Sequence, residues 1–469
     1  MKSLRKFLST LLSLSLVFAS LGAGAASAAS EEAAPEHVTI NPDSLRDLLL
    51  KRNLSIRLEL DNLYTAKANV NAASAGLLPS LTLGVGVTNP ITFALKTISF
   101  LVPFLLPSNW LNLREKQGQL KAEGLGYYAV KLNNLASVDS VYYTVVGDLE
   151  AQAVLNRQAK VLEDIYQLVS AKYKLGLATQ ADIAQANNSR KTSRALARQS
   201  DAAVANELEA IKLYLALEPS TTIDVEVKHE DPSDSESKTA QEIADLTVKT
   251  SPEYRQLTLL HDAAVAHMRS VEYSFFNAFT MGSTGGAGSS ASFSNLTTGI
   301  GLNLSFTTIA NVQLSEIAKE QILDQQKSVA AGQKYSVGTT LVGLSAALDQ
   351  YQDYLDAESS AQALYDVLIV KYKAGLTDLL HVFSATQNIT TAAASRIQAG
   401  INVDTQRVAL KRILRSDDFA KIDQCDLSRA GEVHGNLFKH MGSIFSSPKI
   451  SIDQACAAMA KANLPASAN

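Results

Sequence analysis

The chain has 469 residues, 46% of them hydrophobic and 19% charged, with a formal net charge of −4. A mildly acidic chain with scattered basic residues carries no electrostatic footprint for nucleic acid. Beyond the N-terminus no apolar run approaches the ~20 residues of a membrane-spanning helix, so any bilayer crossing must be made by strands.

Lys2, Arg5 and Lys6 precede the apolar run Phe7 to Leu21, and the small-residue stretch Gly22 to Ala29 follows. With Ala26-Ser27-Ala28 as the cleavage site, residues 1–28 are expected to be a secretory signal peptide, which implies export. No Cys lies near the cleavage point, so no lipoprotein anchor is expected there. Cys425 and Cys456 both fall in the tail, residues 415–469. In an oxidising compartment they are candidates for a disulfide, with the free thiols as the alternative; two lone cysteines make a poor metal set.

The first repeat spans residues 29–217. Leu45, Leu48, Leu49, Ile56, Leu60 and Leu63 recur at helical spacing over Ser44 to Ala75, and Gly76-Leu77-Leu78-Pro79 ends that helix. Pro79 is expected to be the helix stop that sets up a strand. Leu81, Leu83, Val85 and Val87 then alternate with small or polar residues, as in a strand with one apolar face. A second strand is expected over Ile91 to Val102, giving two strands near 80–102. From about Leu111 to Tyr173 the pattern is helical, with Val138, Tyr142, Val145 and Leu149 at near-heptad spacing, as are Leu162, Ile165 and Val169. Sixty residues of helix reach ~90 Å, longer than a globular domain. Tyr173-Lys174-Leu175-Gly176-Leu177 is expected to be a hairpin tip, with Gly relaxing the backbone where the chain reverses. A return helix over Asp182 to Leu217 follows, and 218–238, with Pro219, Pro232 and many Ser and Asp residues, is predicted as a linker.

Residues 239–414 repeat the plan: a helix over Ala240 to Tyr273, strands near 275–306 with the Gly/Ser-rich turn Gly282 to Ser292 between them, and a long helix from Asn311 to Tyr372. The tip Tyr372-Lys373-Ala374-Gly375-Leu376 and a return helix to about Leu414 complete it. In the second long helix Leu341, Leu344, Leu348, Tyr351 and Leu355 are spaced three and four apart. The tip glycines lie 199 residues apart, and Ser251-Pro252-Glu253 falls where Asn53-Leu54-Ser55 does in the first half. An internal repeat of this size makes the chain two halves of one architecture. Four strands cannot close a membrane barrel, since the smallest have eight; three chains pooling theirs would supply twelve.

The Gly76-Leu77-Leu78-Pro79-Ser80-Leu81 turn, the Tyr-x-x-Gly-Leu tips and the two-half plan resemble the TolC family of outer-membrane channels, over about Ser44 to Leu414. The resemblance implies a mainly α fold with a small β part: a homotrimer with a long antiparallel α-helical barrel in the periplasm and a shared 12-stranded β-barrel in the outer membrane. It implies a passive exit duct of a tripartite efflux pump or type I secretion system. Such a duct docks through Gly176, Leu177, Thr179, Gly375, Leu376 and Thr377 to a periplasmic adaptor and an inner-membrane transporter. Asp182, Tyr372, Asp378, His381 and Ser384 map to the family's periplasmic constriction and latch. The chain departs from the family where His381 and Ser384 replace acidic residues and Thr377 replaces a tip arginine, so an acidic, cation-selecting ring is not expected to carry over. Three His381 side chains on an axis would titrate near neutrality; a packed or solvated histidine is the alternative.

Arg190, Arg194 and Arg198 form one basic stripe, expected to be a solvated face. No nucleophile elbow, phosphate loop or zinc-binding His pair appears, so no catalysis and no cofactor are expected. The alternative class is a periplasmic helical-hairpin adaptor or structural protein that never crosses the membrane. A third reading is a phage or toxin receptor exposing loops such as Gly282 to Ser292.

Overall fold

Two 68-residue helices dominate the molecule, α3 (Pro107–Lys174) and α7 (Phe306–Lys373), each ~100 Å long. The computed structural model describes residues 37–77, 106–274 and 306–422. The other elements are β1 (His37–Ile40), α1 (Pro42–Arg52), α2 (Leu54–Ala75), α4 (Gln180–Leu215), β2 (Thr222–Val225), α5 (Ala240–Thr250), α6 (Pro252–Ser274) and α8 (Leu379–Leu414), with short 3₁₀ turns at Asp234–Ser237 and Asp417–Phe419. The signal peptide, the strands near 80–102 and 275–306, Pro79, Cys425, Cys456 and most of the tail lie outside the described residues.

The halves match element for element. The return helices α4 and α8 each have 36 residues. The helix expected over Ser44 to Ala75 is interrupted at Asn53, and its counterpart in the second half is interrupted at Ser251, the aligned position. Asn53 caps both neighbours: its amide nitrogen donates to the Leu49 carbonyl (3.0 Å), and its side chain accepts from the Ile56 nitrogen (3.0 Å). Asn53 Nδ2 also donates to the Tyr214 carbonyl (2.8 Å), tying the α1–α2 junction to the end of α4. The α1–α2 pair and α4 therefore follow one another along the side of α3, and α5–α6 and α8 do the same along α7.

The helices form a wall one layer thick. Toward the tips it runs α4, α3, α8, α7; toward the other end it runs α2, α3, α6, α7. Periodicity explains the seams. On α4 the buried positions Ala186, Ser193, Ala197, Val204, Ile211 and Leu215 step by seven and four, a coiled-coil seam. On α3, Val138, Tyr142 and Val145 are buried in a central cluster with Leu45, Leu49, Leu60, Ile211 and Leu215. Leu162, Ile165 and Val169 belong to a second cluster at the tips.

Both long helices begin earlier than their apolar periodicity indicates. Pro107 is the first residue of α3, a position that suits its fixed φ and missing N–H. The segment read as a linker contains β2, which pairs in parallel with β1 from His37↔Thr222 to Ile40↔Val225. This short strap joins the start of the first half to the junction between the halves.

Candidate functional site

Each tip is a Schellman turn. Gly176 has φ +74° and Gly375 φ +75°, left-handed backbone that favours glycine. Leu177 N–H donates to the Lys172 carbonyl and Leu376 N–H to the Lys371 carbonyl, both at 2.9 Å; Gly176 and Gly375 donate to the carbonyls of Tyr173 and Tyr372 at 3.0 and 3.1 Å. These bonds satisfy the last carbonyls of each long helix while the chain reverses. The turns project apolar side chains into solvent, Leu177 at 73% exposure and Leu376 at 76%.

The return helices start on equivalent capping pairs. In α4, Thr179 accepts from Asp182 N–H (3.2 Å) while Asp182 Oδ2 accepts from Thr179 N–H (2.8 Å). In α8 the pair is Asp378 and His381: Asp378 Oδ1 accepts from His381 N–H (3.0 Å) and faces His381 Nδ1. The carboxylate has moved from the third helical position to the cap, and it stabilises the helix N-terminus from either place. Those bonds hold the Asp378 carboxyl below the usual range, the His381 backbone N–H being the largest cause. His381 and Ser384 are exposed, and Thr377 is half-buried between tip and helix.

Tyr372 is buried against Leu162, Ile165, Val169, Leu379, Val382 and Phe383. Burial first, and then the Asp182 charge, raise its phenol pKa. Lys172 of α3 lies 4.1 Å from the centre of the Tyr372 ring, and its Nζ donates to the Tyr372 carbonyl at 2.8 Å. The structure thus joins Tyr372 to Lys172, a residue outside the family motif. Of the basic stripe, Arg190 is folded inward over the Tyr166 ring (4.2 Å) and pairs with Glu163 of α3 at 3.3 Å, while Arg194 reaches the same carboxylate (2.6 Å) from an exposed position. A carboxylate on the facing helix compensates the charge; Arg198 stays exposed.

A second polar centre, unsignalled by any motif, sits at mid-height where residues 226–236 cross α3 and α8. His229 bridges Asp404 of α8 (2.8 Å) and Glu150 of α3 (3.0 Å). Its pKa is raised to about 10, first by the Asp404 hydrogen bond and then by that of Glu150. Glu230 accepts from Tyr143 and Lys411, and Arg407 pairs with Glu236 at 3.0 Å. Below them Asp139 is buried with Oδ1 lacking a hydrogen-bond partner among the described residues. Desolvation, then the charges of Glu230 and Asp418, push its carboxyl well above the usual range against Arg46 and Lys411. Among the described residues no cluster of side chains could hold a metal ion, and no helix is long and apolar enough to cross a membrane.

A one-layer wall of paired long helices with both reversals at one end is also the fold of solved outer-membrane channels. The CmeC outer membrane channel of Campylobacter jejuni superposes with a TM-score of 0.65 at 15% identity, over 81% of this chain and 88% of that one. The VceC outer membrane protein of Vibrio cholerae gives 0.64 at 12%, over 80% and 95%. The open-state MtrE channel of Neisseria gonorrhoeae gives 0.62 at 15%, over 80% and 88%. Residues 45–217 match the outer membrane efflux protein family. The chain thus carries an outer membrane efflux protein domain within a TolC-type channel fold, and the resemblance read from its sequence stands. That family is a transport family of the outer membrane. No curated protein matches the chain.

Proposed function

We propose that three copies of this chain close a helical barrel and share a β-barrel, forming a passive efflux duct across the outer membrane. The observation that carries this reading is the open edge of the wall. Along α7, Tyr335, Val342, Leu364 and Val367 are exposed, at spacings of seven, 22 and three that keep them on one face of the helix. In the same helix Leu344 is buried against α8, so α7 has one apolar face covered and another bare. The opposite edge exposes Leu54 and Leu58 on α2 and Leu196 and Leu213 on α4. A large bare apolar stripe marks an interaction surface, and two unlike edges on one wall favour a closed ring of copies.

In this assembly residues 78–105 and 275–305, at the end away from the tips, supply the strands that cross the membrane, and the helical wall extends into the periplasm. The exposed Leu175, Leu177, Leu376 and Leu380 at the tips form the docking surface for a periplasmic adaptor, with Thr179 and Thr377 beside them. Energy comes from an inner-membrane transporter. Tip opening is a separation of the two hairpins, biased by partner binding.

The test is conductance. The purified full chain added to a planar lipid bilayer is expected to give discrete single-channel steps, and a chain that gives none, while folded and helical, would contradict the reading.

A further inference from the structure

We infer that the groove between α3 and α6 is a binding site for an anionic phospholipid. The inference rests on the channel reading, which puts residues 78–105 in the membrane. The groove has a volume of about 490 Å³ and lies over a close approach of the two helices. There a Cβ on Gly118 would stand 3.0 Å from that of Ala263, so two small residues form the floor. The α3 side of the rim is Trp110, Leu113, Arg114, Gln117 and Lys121, and the α6 side is Leu259 and Asp262. Spacings of three and four along α3 put its rim residues on one face.

Charge and position name the occupant. Among the described residues neither Arg114 nor Lys121 forms an ion pair, although both flank the groove, and Asp262 is one carboxylate against two cations. On the same helix the neighbouring face is fully paired: Glu115 meets His267 of α6 at 2.8 Å and Lys116 at 3.1 Å. Two uncompensated cations beside Trp110, Leu113 and Leu259 match a phosphodiester headgroup followed by glycerol and the start of an acyl chain. Trp110 stands three residues into α3, ~5 Å along the axis from its first residue, at the level where tryptophan favours a membrane interface. The groove lies between the middle helices of the wall, so copies packing at its edges leave it open.

Trp110 is the sole tryptophan of the chain and reports on the groove directly. The full chain would be reconstituted in phosphatidylcholine vesicles containing a minor fraction of phosphatidylglycerol brominated near the headgroup end of its acyl chains. Equal amounts of brominated phosphatidylcholine serve as the comparison. The expected result is a larger loss of Trp110 emission with the brominated anionic lipid, and disappearance of that difference in R114Q/K121Q. Equal quenching by the two lipids, or a difference that survives in the variant, would overturn the inference while leaving the channel reading intact, provided the chain co-floats with the vesicles. A chain that does not co-float would overturn both.

Discussion

Lys172 Nζ donates to the main-chain carbonyl of Tyr372 at 2.8 Å and sits 4.1 Å from the centre of that tyrosine's ring. The two residues belong to different halves of the repeat, so this contact holds one tip hairpin against the other. A lysine over an aromatic ring contributes about 0.5–2 kcal/mol, rising with desolvation, and its hydrogen bond adds to that. K172M keeps the apolar stem and removes both interactions. If the hairpins separate on opening, K172M is expected to raise the open fraction in single-channel recordings severalfold, with the step size of the fully open state unchanged.

The Asp378–His381 pair predicts a selective response to substitution. D378N retains a capping oxygen and is expected to behave like the parent, because Asn is as good an N-cap as Asp. D378A leaves the first amide groups of α8 unsatisfied and is expected to increase amide hydrogen exchange at residues 379–382 and little elsewhere. H381A removes the ring that faces Asp378 and keeps the backbone cap. It is expected to change exchange much less than D378A.

His229 predicts a pH dependence. A histidine whose folded pKa is raised stabilises fully below its ordinary value of 6.5 and loses that contribution as pH climbs through about 10. The charged groups around it are Asp404, Glu150 and, through Glu150, Arg396. Thermal melts of the parent and H229Q should therefore differ most below about pH 6.5 and converge as pH rises toward about 10. The ring is half-exposed, so solvent screening keeps the gap modest.

Asp139 also predicts a loss of stability with rising pH, in a lower window, because its raised pKa belongs to a carboxyl group. Burial raises its carboxyl above the unfolded value, so stability is withdrawn as pH rises above about 4. D139N has nothing to ionise. It is expected to melt with the parent near pH 4 and above it at pH 7–8, as read by circular dichroism in detergent. A D139N protein that melts below the parent at neutral pH would mean that an ionised Asp139 is held by a cation, Arg46 or Lys411.

How much of this was legible in the sequence depends on the range of the interaction. The tip turns were, because Tyr-x-x-Gly-Leu is a local pattern and Gly176 and Gly375 satisfy a local demand for positive φ. The long helices were marked by their period, whereas the breaks at Asn53 and Ser251 were not, because the apolar spacing runs through both and only the caps betray them. Thr179-x-x-Asp182 is a capping signature the sequence displays openly, yet its counterpart Asp378-x-x-His381 is hidden by the exchange of roles. The contact of Lys172 with Tyr372 spans 200 residues, and that of His229 with Asp404 spans 175. Neither pair leaves a periodic trace, since a single lysine or histidine on a helix looks the same with or without a distant partner. The β1–β2 strap was missed because four-residue strands are too short to show alternation against Ser- and Asp-rich surroundings. The inward turn of Arg190, and the pairing of Arg190 and Arg194 with Glu163, required knowing that Glu163 faces them across the helical seam.

The central claim is that the bare apolar edge of α7 is covered by another copy of the chain, three to a particle. The direct measurement is the mass of the detergent-extracted outer-membrane particle by light scattering, corrected for bound detergent, for the parent chain and for V342E/L364E. Both substitutions place a charge on an exposed position of α7 and touch no buried core, so the protomer should keep its helical content. The account predicts a mass of three chains for the parent and dissociation to one for the variant. A parent that is monomeric, or a variant that remains a trimer of unchanged stability, would contradict it.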